Sequence, residues 1–206
     1  MLFRTIGGAF LLAAVACASG GAVQTTVSPA PQQTLPPGHY PHTDADVEFM
    51  AGMIPHHAQA VLIAGWVPER TERRDVRVLA ERIAVAQKDE IKLMQTWLED
   101  RGLPVPAADA THHVMRHGDM EHKMLMPGML TEEELARLQA ARGPAFDRLF
   151  LEYMIKHHQG AITMVDELFK SPGAANDETV FRFASDVHAD QNIEIHFMTQ
   201  MLGEGK

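Results

Sequence analysis

Two short segments hold side chains suited to gripping a soft metal ion. Met53-Ile54-Pro55-His56-His57 and Met154-Ile155-Lys156-His157-His158 each set a thioether three and four residues before a pair of imidazoles. On a helix those spacings place the methionine on the same side as each histidine, while the two adjacent histidines diverge by about 100°. His57 belongs to the stripe Val47, Met50, Ile54, His57, Val61, and His56 to the stripe Phe49, Met53, His56, Ala60, Ile63. Both stripes are otherwise apolar. A single histidine on such a face is ordinarily a core residue satisfied by a hydrogen bond. Two pairs at matched places point instead to ligands, although shared ancestry would also preserve them.

Two further stripes answer them. Ile83, Gln87, Glu90, Met94 and Trp97 recur as Val187, Gln191, Glu194, Met198 and Met201. A buried glutamate costs on the order of several kcal/mol unless it is paired or bound to metal. Glu90 and Glu194 are therefore expected either to orient a histidine by a hydrogen bond or to ligate, with Met94 and Met198 as additional sulfur donors. His188 and His196 occur in one half only and are weaker candidates. Between His112 and Met129, nine of eighteen residues are His or Met. In that run His113, His117, Met120 and Met124 have the spacing of one helical face, which predicts a secondary loading site.

Thioether with imidazole selects Cu(I), and Cu(II) is admissible at histidine-rich positions. Zinc would accept His and Glu but gains little from Met. A di-iron centre in a helical bundle wants Glu-x-x-His, which occurs nowhere in the sequence; the nearest is Asp119-x-x-His122. Cys17 is the one cysteine, so the chain beyond it has neither a disulfide nor a thiolate site.

The elements that must position these residues are helical. The first stripe predicts a helix that Pro68 ends, and Pro55 is expected to kink or restart it just before His56. A second helix is predicted over about 71–100, stopped by Gly102 and Pro104. Thr131 with Glu134 has capping-box form and predicts a short helix, broken at Gly143-Pro144. Two more are predicted over about 145–170 and 177–202. No segment alternates β-branched residues with period two, so the expected class is all-α. The His-His segments, with Asp46/Asp147 and Phe49/Phe150 upstream and Gln87/Gln191 to Leu98/Leu202 downstream, make the chain a tandem repeat. Halves at about 44–102 and 144–202, joined by a long Met/His-rich crossover at 103–143, predict a four-helix bundle of two hairpins.

Residues 1–18 have the form of an export signal: Arg4, a short apolar run from Ile6 to Ala16, then small residues. The run is shorter than the ~20 residues of a membrane span. Ala16-Cys17-Ala18 fits signal cleavage, and Ala14-Val15-Ala16-Cys17 fits a lipobox apart from Ala at its first position. A lipid anchor on Cys17 would be the one tie to a membrane, and the expected compartment is the periplasm or extracytoplasmic face. Residues 19–43 read as a Pro-rich linker. The 206 residues carry 18 Lys+Arg against 27 Asp+Glu, a formal charge of −9, which argues against nucleic acid as a partner.

The paired Met-Ile-x-His-His motifs, the run Met126-Pro127-Gly128-Met129-Leu130-Thr131 and the Gln-x-x-Glu-Ile-x-x-Met helices together resemble the bacterial domain-of-unknown-function family 305, over about residues 44–202. The resemblance implies a ferritin-like helical bundle, exported, with some copper-binding members linked to copper tolerance and no established catalytic activity. The combined expectation is a copper-binding protein, not primarily an enzyme, that sequesters or hands on Cu(I). Met53, His56, His57, Met154, His157 and His158 form its core ligand set. Its partners would be metal ions, a copper exporter or copper chaperone, with room for a second copy of the chain. Two other readings fit the same residues. One is a dinuclear oxidase or peroxidase using His57, Glu90, His158 and Glu194; the other is a metal-free helical interaction module.

Overall fold

The computed structural model describes residues 41–117 and 120–204; for 113–117, 120–123 and 204 it describes the backbone alone. The export signal, Cys17 and most of the Pro-rich linker lie outside the described residues. Helices α1 (Asp44–Trp66), α2 (Arg74–Glu99), α3 (Glu132–Ala140), α4 (Gly143–Lys170) and α5 (Glu178–Glu204) form a helical body. None of the described helices is long and apolar enough to cross a membrane.

Local chemistry sets the helix ends. Thr43 and Asp46 form a capping box at the start of α1, and Thr131 with Glu134 forms the expected one at α3. Pro68 sits in a 3-10 turn, Val67–Glu69, that closes α1. Asp177 accepts from the Thr179 and Val180 amides at the head of α5, and also binds Arg101 (2.6 Å) and Trp97 Nε1 (3.1 Å) at the end of α2. Of the two outcomes expected at Pro55, the restart is corrected: α1 continues through it as one helix. Proline removes only its own N–H from the ladder, and burial of the helix on both sides of it holds the remaining turns in place.

Two apolar clusters lie along the helices. The first contains Phe49, Ile54, Met94, Leu98, Val165 and Phe183; the second contains Ile63, Val76, Ile83, Phe146, Phe150 and Leu151. Each buried side chain of this size contributes roughly 1.5–3 kcal/mol. α1 and α5 run from the first cluster to the second, α2 and α4 the opposite way. The crossover from α2 to α4 must therefore travel the length of the body.

One part of the crossover departs from the all-helical expectation. β1 (His113–His117) and β2 (Met120–Met124) pair as an antiparallel ribbon, so no helical face unites His113, His117, Met120 and Met124. The alternation was hidden because its repeating residues are His and Met rather than β-branched.

Candidate metal centre

The junction between the two clusters is polar. There α1 brings His56 and His57, α4 brings His157 and His158, α2 brings Gln87 and Glu90, and α5 brings Gln191 and Glu194. All four histidines are fully buried. The His56 and His157 rings lie over one another, centroids 3.8 Å apart and tilted by 39°. On either side, His57 Nε2 meets Glu90 Oε2 at 2.6 Å and His158 Nε2 meets Glu194 Oε2 at 2.6 Å. A carboxylate accepts, so each Nε2 donates, and in the neutral form of either ring the lone pair is then carried by Nδ1. His56 likewise places Nε2 3.0 Å from the Pro127 carbonyl, an acceptor only.

All four Nδ1 atoms are buried without a hydrogen-bond partner, and His157 Nε2 shares that state. Gln87 and Gln191 add further unpartnered polar atoms to the same layer. Unsatisfied buried polar groups are costly in a core. Imidazoles that donate one nitrogen to a carboxylate or carbonyl while freeing the other have the usual arrangement of histidine ligands. Burial, foremost, and then the neighbouring imidazoles hold the pKa values of His56 and His157 well below the ordinary histidine value. Both rings are neutral near neutral pH, which is the ligating form. Outside the pairs, exposed Asp190 has a raised pKa, from partial burial and then from the charges of Glu90, Glu194 and Asp186.

The sulfur is distributed differently from the expectation of one mixed cluster. Met53 and Met94 pack in the first apolar cluster, Met154 and Met198 in the second, flanking the histidine layer from opposite ends. Among the described residues, no three His, Cys, Asp or Glu side chains are placed to hold one ion. The residues of the dinuclear reading form two separate His–Glu pairs. His188 and His196 are exposed. His113, His117 and Met120 are placed by their backbone alone, and Met124 is exposed.

The crossover supplies parts of the centre that helical spacing did not reveal. Gln59 holds Leu130 by both ends of its amide, at 2.9 and 2.7 Å. Lys156 binds Glu134 at 2.7 Å. Gly160 lets the Pro127-Gly128 turn come so close that a Cβ there would stand 1.9 Å from the Pro127 carbonyl oxygen. Gly128, at φ +76°, completes that turn. This contact brings the Pro127 carbonyl to His56. Met126 and Met164 meet over Gly52, where a Cβ would lie 2.7 Å from the Met126 methyl carbon. The available signal was asymmetry between two similar sequence segments: Gly160 stands at the place matching Gln59, and Lys156 at the place matching Pro55.

The family model "Domain of unknown function (DUF305)" matches residues 46–202, and the chain belongs to that family. Among solved structures, a DUF305 fragment from Deinococcus radiodurans is 30% identical with a TM-score of 0.65, covering 80% of this chain and 99% of that one. A family member from Streptomyces coelicolor, described as a candidate secreted protein, is 28% identical with a TM-score of 0.65, covering 78% and 93%. CopM in its Cu(II)-bound form is 28% identical with a TM-score of 0.60, covering 78% and 97%, and CopM is also known in Cu(I)- and Ag-bound forms. The uncharacterized protein L153 of Acanthamoeba polyphaga mimivirus is 36% identical over 58 residues; the match spans 28% of this chain and 38% of that protein.

Proposed function

We propose that this protein is an exported copper-binding protein that sequesters copper or hands it on, chiefly as Cu(I), with Cu(II) at histidine-rich positions. Its four long helices are read as a ferritin-like bundle of two repeated hairpins. The observation that carries the reading is the set of four buried Nδ1 atoms left unpartnered, on rings whose Nε2 atoms are in three cases already committed to Glu90, Glu194 or the Pro127 carbonyl. Imidazole nitrogens held in a thiol-free centre, with Met53, Met94, Met154 and Met198 at its flanks, suit a soft ion. His56, His57, His157 and His158 would hold copper, with sulfur joining as side chains adjust. The copper- and silver-bound forms of CopM, at 28–29% identity, support the same metal class. The signal-like residues 1–18 support export, and a copper exporter or copper chaperone is the fitting partner.

A competition titration of Cu(I) against a chromogenic chelator under reducing conditions tests this. The wild-type chain is expected to bind more than one Cu(I). Replacing His56, His57, His157 and His158 by Ala is expected to lower that number while circular dichroism stays helical. Unchanged copper binding in that variant rejects the assignment.

A further inference from the structure

The register of the crossover ribbon makes a second pattern visible. His113 pairs with Met124, Met115 with His122, and His117 with Met120. Residues alternate faces along a strand and cross-strand partners share one. These six residues therefore occupy one face of the ribbon, as three rungs, each made of one histidine and one methionine. Val114, Lys123, Arg116 and Glu121 occupy the other face, with Arg116 opposite Glu121. Met124, at the end of the His–Met face, is 45% exposed.

We propose that this face is a separate binding site for soft monovalent cations, Cu(I) or Ag(I), built from His–Met rungs and including Met115 and His122. It rests on the soft-metal reading above but not on the buried histidines. A rung supplies one thioether and one imidazole, the donor pair that favours Cu(I) and offers zinc little. Its position connects it to the centre. β1 packs against α1, the helix of His56 and His57. Beyond Met124 the chain passes Met126 over Gly52 and reaches the Pro127 carbonyl on His56. An ion captured on the ribbon is thereby held beside the strand of chain that closes the buried site.

The test is Ag(I) stoichiometry by native mass spectrometry on the full chain. Met115→Leu with His122→Ala removes the middle rung, which a helical face through residues 113, 117, 120 and 124 would not include. That variant is expected to bind at least one Ag(I) fewer than wild type, or to bind its weakest ion at least tenfold less tightly. Val114→Thr with Lys123→Gln on the opposite face is expected to match wild type. Equal binding by the middle-rung variant, or an equal loss in the opposite-face variant, overturns the proposal. The quadruple histidine variant, measured alongside, separates the two sites: if it binds as wild type while the middle-rung variant loses an ion, the ribbon stands and the buried site fails.

Discussion

Of four imidazoles sealed in an apolar body, His56, His57 and His158 are held by what their Nε2 atoms touch, and His157 by its stacking on His56. Removing those contacts should loosen the rings without dismantling the helices. Glu90→Ala, and Glu194→Ala separately, are expected to lower Cu(I) affinity about 10–100-fold, the usual effect of losing a histidine-orienting partner, in the same competition titration. Acidification gives a second test. His56 and His157 titrate below the ordinary histidine value of about 6.5 when folded. Below that pH the unfolded chain takes up protons that the folded chain refuses. Metal-free protein should therefore have its full stability above about pH 6.5 and lose up to about 1.4 kcal/mol per pH unit for each ring as pH falls. Urea denaturation across this range should show that slope, and His157→Phe should remove one ring's share. A flat profile would mean that neither ring is kept neutral. The histidine pairs and their glutamate partners were legible in the sequence because they break apolar stripes at matched places. The sorting of methionines to opposite ends was not, since a shared helical side does not reveal which neighbour a side chain packs against.

The four long helices follow from periodicity, caps and prolines, whereas the crossover follows from contacts distant in sequence. Its docking depends on Gly160, where an added methyl group would meet Pro127 backbone rather than a yielding side chain. Gly160→Ala is expected to destabilise the fold by about 1–3 kcal/mol, the ordinary cost of overpacking, and to release His56 from its carbonyl. Gly65, on an exposed turn of α1 with open space around it, is the control: Gly65→Ala should stabilise by about 0.5–1 kcal/mol. Chemical denaturation of both variants measures the contrast. The ribbon escaped the sequence reading for a different reason. His113, His117, Met120 and Met124 satisfy helical spacing, but the full set of six satisfies strand alternation better, and only pairing register shows this.

At the scale of the whole molecule, two similar segments, Met53 to His57 and Met154 to His158, meet at one junction, and the crossover makes their surroundings unequal. Gln59 and Gly160, at matching places just past those segments, contact different parts of the same loop, Leu130 and Pro127; Pro55 and Lys156 differ one turn earlier, where Lys156 ties α3 to α4. Bound metal should stabilise the folded chain by mass action, about 2.7 kcal/mol at a free-ion concentration of one hundred times Kd, and a rise in thermal midpoint with Ag(I) would register it. The most direct measurement is nitrogen NMR of histidine-labelled protein titrated with Ag(I). The buried assignment predicts that Nδ1 resonances of His56, His57, His157 and His158 move while Nε2 of His57 and His158 stays protonated against glutamate. Unmoved resonances from all four rings at saturating silver would contradict it.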